Sequence, residues 1–170
     1  MGTLGTPLHQ GFDEFFGWVN GDHAHFYYPQ FLWENNAEFM LDGNRGGARQ
    51  AYAPDLCTTR ALDFIKRHRQ HPFFLYVPYT LPHWSDYRDA PLSQDVPADT
   101  RYANQDWPEV EKNYASMVTR LDGYVGRILS ALVEHSIAGN TLVLFLSDNG
   151  RPPSASTGLI SSAAPARSAV

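Results

Sequence analysis

The chain has 170 residues and is poor in cysteine and lysine. Cys57 is the only cysteine, which excludes an internal disulfide and a zinc site built from several cysteines. The only lysines are Lys66 and Lys112, and the net charge of -5 does not suit a nucleic-acid-binding surface. We therefore expect no nucleic-acid partner.

Long apolar runs are also absent. No stretch approaches the length that a membrane span needs, so we expect none. Residues 1–10 have neither the basic start nor the apolar core of a signal peptide, and the compartment stays unknown. The hydrophobic content of 43% is that of a globular domain long enough to bury a core.

Two segments have the periodicity of amphipathic helices. Residues 55–69 begin after Pro54, which suits a first helical turn, and end in a basic cluster before Pro72. Residues 106–135 repeat apolar side chains at spacings of three and four, and Asp106 with Glu109 fits a capping box. We predict two long helices.

A strand-length apolar run follows each predicted helix, and each run ends in a polar tip. Residues 73–77 lead to His83, and residues 141–146 lead to Asp148 and Asn149. Strands joined through a helix pair in parallel, and ligands bind beyond the carboxyl ends of such strands. The sequence therefore predicts an α/β fold with both tips at one sheet edge.

The tips carry chemically useful side chains. The carboxylate of Asp148 and the amide oxygen of Asn149 suit a hard cation such as Ca²⁺ or Mg²⁺, although two ligands are too few. His83 is suited to donating a proton or holding an anionic oxygen. His23 and His25 lie in an aromatic segment that either packs on the domain or lines a substrate pocket.

Three segments together resemble a known family. They are the Gly-Phe-Asp-Glu-Phe-Phe-Gly segment at 11–17, the stretch from His71 to His83, and residues 114–150 ending in Ser-Asp-Asn-Gly. In content and spacing they are similar to the middle of an arylsulfatase-type sulfatase. The resemblance implies part of an alkaline-phosphatase-like α/β sheet flanked by helices, which is incomplete here.

The resemblance also implies an activity and a site. The family hydrolyses sulfate esters with a bound Ca²⁺, for which Mg²⁺ is the less favoured alternative. It makes Asp148 and Asn149 metal ligands and His83 a catalytic residue that contacts the sulfate group. The substrate of the full-length enzyme would be a sulfated small molecule or glycan, and such enzymes are often exported.

The chain departs from the family at its nucleophile. Sulfatases use a formylglycine made in a Cys/Ser-x-Pro-x-Arg motif, and the sequence contains no such motif. We interpret Cys57, beside Leu56 on a predicted helix, as a packing residue. Further metal-binding and lysine residues of the family are missing as well.

We therefore interpret residues 1–150 as a partial sulfatase catalytic domain. Residues 151–170 are rich in Ala, Ser and Pro and are predicted to be disordered or out of frame. The leading hypothesis is sulfuric ester hydrolysis, with no turnover by this chain alone. The alternatives are a metal-dependent phosphoesterase of the same superfamily and a non-catalytic remnant or binding module.

Overall fold

The computed structural model describes residues 4–85 and 94–148. Asn149 and the predicted tail at 151–170 lie outside these residues. In chain order the elements are a 3₁₀ turn at Pro7–Gln10, β1 at Phe16–Gly17, α1 at Gly21–Ala24, β2 at Phe31–Glu34, β3 at Ala37–Met40, a 3₁₀ segment at Asp42–Gly47, α2 at Ala53–His68, α3 at Glu109–Glu134 and a 3₁₀ turn at Ala138–Asn140. The architecture is mixed α/β, as predicted.

The sheet of the described residues is small and antiparallel, in the order β1-β2-β3. β2 and β3 form a hairpin in which Phe31 faces Met40 and Glu34 faces Ala37. Asn35 takes a φ of 55° in the connecting loop, a conformation that asparagine tolerates better than most residues. The sequence predicts no hairpin here, since the aromatic segment around His23 and His25 is expected only to pack on the domain or to line a substrate pocket.

The two long helices are confirmed. The predicted helix at 55–69 is α2, which carries Pro54 in its first turn, and the one at 106–135 is α3. The capping box predicted for α3 is wrong, because the helix is capped by Pro108 and receives no side-chain cap bond. Proline fixes its own backbone at this point and takes the place of the polar cap.

A polar junction and an apolar cluster hold α2 against α3. Arg120 Nη1 donates to Asp55 Oδ1 over 2.8 Å, and the Tyr124 hydroxyl donates to the same oxygen over 2.6 Å. Further along, Ile65 of α2 packs with Ala131 and Leu132 of α3 in a separate apolar cluster. The helices are therefore joined at both ends of their contact.

Within residues 4–85 and 94–148, the two predicted buried strands are not formed. Neither 73–77 nor 141–146 pairs with a strand in the part of the chain that the structure describes. Phe74 is 73% exposed, and Leu142 and Leu146 are 84% and 83% exposed. A strand buried on both faces needs neighbours in the sheet and layers above and below it, and the described residues supply neither.

An ion pair fastens the segment before β1 to the end of α2. Arg67 donates to both carboxylate oxygens of Glu14, over 2.8 and 2.6 Å, and His68 Nε2 lies 3.0 Å from Glu14 Oε1. The hydrogen bond from Arg67 is the main cause that lowers the pKa of Glu14 to about 2. Two parallel bonds between a guanidinium and a carboxylate also fix orientation.

We predict that Glu14→Gln removes a stabilisation that depends on pH. Because the folded-state pKa lies below that of the unfolded chain, the contribution is complete above about pH 4.5 and is lost as pH falls towards 2. The pair is partly exposed, so we expect a loss below about 1 kcal/mol at pH 7. Urea unfolding at pH 7 and pH 3 measures it.

The difference between the wild type and Glu14→Gln should shrink at pH 3. Arg45→Gln, which removes a more exposed ion pair with Asp42, is the control and should change stability less. A difference for Glu14→Gln that stays constant from pH 7 to pH 3 would contradict the assignment.

Candidate functional site

His83 lies at the end of a tight turn at residues 80–83. The His83 N–H donates to the Thr80 carbonyl over 2.8 Å and closes the turn. The Tyr27 hydroxyl lies 3.1 Å from the Thr80 carbonyl oxygen and 2.7 Å from that of His83. A residue from a distant part of the chain therefore contacts both ends of the turn.

The His83 ring is exposed and has a defined hydrogen-bond partner. Its Nδ1 lies in hydrogen-bonding contact with the Trp84 carbonyl oxygen. A carbonyl only accepts, so Nδ1 carries the proton in this contact. The arrangement leaves Nε2 to accept from a ligand when the ring is neutral and to donate to an anion when it is protonated.

The structure brings His25 to His83. His25 follows α1, whose N-terminus is capped by Asn20 through a 2.7 Å bond from the His23 N–H. The rings of His25 and His83 are 5.2 Å apart in an edge-to-face arrangement. Two imidazoles that are far apart in sequence thus share one surface.

His23 has a different environment, although it is only two residues from His25. Its ring packs on Phe31 of β2, with the ring centroids 4.7 Å apart. Burial lowers the pKa of His23, while a hydrogen bond with the Phe31 backbone opposes that shift. This histidine therefore favours the neutral form and packs on the sheet.

The structure does not unite Asp148 with His83 through a sheet. Asp148 is exposed at the end of the unpaired run 141–146, and Asn149 lies outside the described residues. Residues 4–85 and 94–148 contain no group of three His, Cys, Asp or Glu residues placed to hold a metal. Since Ca²⁺ takes about six to eight oxygen ligands, the described residues do not fit a calcium site by themselves.

The main groove lies beside the run 73–77 and has a volume of about 990 Å³. It reaches Thr80 but not His83, and its lining includes Phe12, Phe16, Cys57, Phe74, Tyr79 and Thr80. The groove follows the unpaired edge of a run that the sequence marks as a strand. Because the groove follows this unpaired run and does not reach His83, we interpret it as space that packing leaves open and not as a reaction site.

Cys57 has the properties of a packing residue, as interpreted from the sequence. It belongs to α2 and borders the groove. Burial raises the pKa of its thiol to about 12, so the thiolate needed for nucleophilic attack is scarce near neutral pH.

We predict that Cys57 resists alkylation in the folded chain. At pH 7.5, iodoacetamide should label it at least about tenfold more slowly than it labels free glutathione, because the thiol remains protonated and partly covered. Mass spectrometry follows the labelling. The control is the same chain unfolded in a denaturing concentration of urea. Labelling at the glutathione rate without urea would refute the prediction.

Relatives of known class match most of the chain. The Sulfatase family matches residues 3–165. The chain is 33% identical over 156 residues to human N-acetylgalactosamine-6-sulfatase, covering 85% of this chain and 27% of the relative. It is 31% identical over 148 residues to the uncharacterized sulfatase YdeN of Escherichia coli K12, covering 85% and 23%.

A solved structure is also similar to most of this chain. The crystal structure of Ps i-CgsB in complex with k-i-k-neocarrahexaose matches with a TM-score of 0.59 and 26% identity, covering 79% of this chain and 31% of that one. The chain thus spans about a quarter of the length of these curated relatives. Its mixed α/β architecture is consistent with an incomplete alkaline-phosphatase-like fold, and the chain belongs to the sulfatase family.

Proposed function

We propose that this chain carries part of the sulfate-binding site of an arylsulfatase-type sulfuric ester hydrolase. Membership of the sulfatase family supports the reaction class. The observation that carries the proposal is the exposed imidazole of His83. The Tyr27 hydroxyl contacts the turn that carries this ring, and the centroid of the His25 ring lies 5.2 Å away. The substrate class is a sulfated small molecule or glycan.

The chemistry of the pair suits an anionic oxygen. With Nδ1 engaged by the Trp84 carbonyl, a protonated His83 presents its Nε2–H to a sulfate oxygen. A donor fixed at such a place stabilises charge on the leaving oxygen or transfers a proton to it. His25 adds a second donor, and His23, packed on Phe31, supports the loop that carries His25.

The names of two relatives favour a glycan over a simple aryl ester. One is an N-acetylgalactosamine-6-sulfatase, and one structural neighbour was solved with a neocarrahexaose. Both names refer to carbohydrate chemistry. We therefore place a sugar sulfate ahead of other sulfated small molecules as the substrate of the complete enzyme.

We propose Asp148 and Asn149 as two ligands of a Ca²⁺ site, with Mg²⁺ as the less favoured ion. The remaining oxygen ligands would have to come from other sequence, since the described residues offer no cluster of three.

We predict that the chain alone binds Ca²⁺ weakly. With two oxygen ligands in place of about six to eight, the dissociation constant should exceed about 1 mM. Isothermal titration of the wild type and of Asp148→Asn measures it, with Asp42→Asn as a matched control on an exposed surface carboxylate. Micromolar binding that depends on Asp148 would contradict the incomplete site.

We also propose that this chain alone does not hydrolyse sulfate esters. It has no motif that yields a formylglycine nucleophile, and its single thiol is protonated at neutral pH. The second candidate function, a non-catalytic remnant or binding module, is favoured by the exposed run that ends at Leu146. Unpaired runs of this kind promote association.

The proposed function predicts binding without hydrolysis. At pH 6, 4-nitrophenyl sulfate should shift the imidazole signals of His83 and His25 in NMR spectra, while no nitrophenol is released. His83→Ala should weaken binding about tenfold, the cost of one hydrogen bond to a charged group. His71→Ala, on an exposed histidine away from the turn, is the control.

The comparison compound is 4-nitrophenyl phosphate. A stronger response to the phosphate ester would favour the phosphoesterase alternative. Equal binding by the wild type and His83→Ala would remove His83 from the anion site, and release of sulfate by the purified chain would refute the expected inactivity.

A further inference from the structure

The Tyr27 hydroxyl lies between the two ends of the His83 turn. It is 3.1 Å from the carbonyl oxygen of Thr80 and 2.7 Å from that of His83. The Thr80 carbonyl also receives the N–H of His83 over 2.8 Å. One hydroxyl proton is therefore shared between two carbonyls, which adds a contact from outside the turn to the bond by which the His83 N–H already closes it.

Tyr27 itself is firmly held. Its side chain is 1% exposed and belongs to the main core cluster, where its ring stacks on Tyr52 with the centroids 5.7 Å apart. Burial is the main cause that raises the pKa of Tyr27 far above its usual value. The hydroxyl consequently stays protonated, and remains a donor, throughout the neutral range.

The backbone of Tyr27 connects the same residue to α2. Its carbonyl accepts the N–H of Ala53, the first residue of that helix, over 2.9 Å. Ala53 is completely buried. Tyr27 thus links the start of a long helix to the turn through two hydrogen-bonding groups, one on the backbone and one at the end of its side chain.

His25 is two residues from Tyr27 on the same short stretch of chain. Consecutive residues are about 3.8 Å apart, so a fixed Tyr27 limits where His25 can lie. The same tyrosine therefore constrains both imidazoles, His25 through the chain and His83 through the hydroxyl. This explains how rings 58 positions apart in the sequence come within 5.2 Å.

We infer that Tyr27 is a positioning residue that holds the His83 imidazole against His25 through its hydroxyl. The purpose of this pairing, binding an anionic ester, rests on the proposed function, whereas the geometric role of Tyr27 does not. Tyr27 does not touch the anion; it acts through the turn.

The test is Tyr27→Phe in the full chain, which removes one oxygen and keeps the ring. The amide of His83 should exchange with deuterium about tenfold faster, as expected when a hydrogen bond worth about 1.4 kcal/mol is lost. The His83 and His25 imidazole signals should move together in NMR spectra, while the amide of Ile65 in α2 keeps its protection.

Tyr124→Phe is the matched control. Tyr124 belongs to the same core cluster, and its hydroxyl also makes a hydrogen bond, which is partly buried and is made to Asp55 at the helix junction. Loss of this bond should destabilise α2 and α3 and leave the His83 imidazole signal unchanged. A change at His83 that is equal in the two variants would show a general loosening and overturn the inference.

A second measurement uses the wild type, in case Tyr27→Phe does not fold. The hydroxyl proton of Tyr27 should be protected from exchange and show a nuclear Overhauser effect to the amide of His83. A rapidly exchanging hydroxyl would overturn the inference. If Tyr27→Phe releases the turn but sulfate esters never perturb His83, the positioning role stands and the proposed function fails.

Discussion

The carboxylate of Asp55 is the point at which the first turn of α2 meets both α3 and the aromatic core. It lies in the first turn of α2, where negative charge is favoured by the helix dipole, and accepts from Arg120 and Tyr124 of α3. The charged groups are partly exposed, so the ion pair by itself contributes little. Its importance lies in its position, because Arg120 also covers the ring of Tyr52, 5.5 Å from its centroid. The contact between the two helices and the packing of the aromatic core therefore meet at Arg120.

The helices could be read from the sequence because their signals are local. Apolar spacing, Pro54 in a first turn and a basic end are sufficient to place α2 to within a few residues. The cap of α3 was misread, since Asp106 has the right chemistry but the helix starts only at Glu109, after Pro108. The hairpin of β2 and β3 was missed because aromatic residues concealed its alternation, although the Asn35 and Asn36 loop was a usable signal.

The strands could not be settled locally. Residues 73–77 and 141–146 have the composition of buried strands, but burial requires partners that composition does not reveal. The same distinction between local signals and sheet pairing applies to the candidate site. The relation of Asp148 to His83 depends on sheet pairing and stays a prediction, as do the ligand role of Asn149 and the domain boundary at 150. The sequence also could not distinguish His23 from His25. The two residues are only two positions apart, yet the ring of His23 packs on Phe31 of the sheet and the ring of His25 lies beside His83.

The position of His83 does not depend on strand pairing of the run 73–77, which the described residues lack. Tyr79, just before the turn, is held by its hydroxyl contact with Thr58 over 2.8 Å and by stacking on Tyr124, with the ring centroids 5.4 Å apart. Tyr27 then holds the turn itself. The run 73–77 therefore ends in an anchored segment even though its own edge is unpaired. The Tyr79 hydroxyl joins this segment to α2 and the Tyr27 hydroxyl contacts the turn, whereas the placement of Asp148 beside His83 would require sheet pairing and stays a prediction. The described part of this sulfatase segment therefore holds the His83 and His25 rings together without the neighbouring strands that the run 73–77 would need.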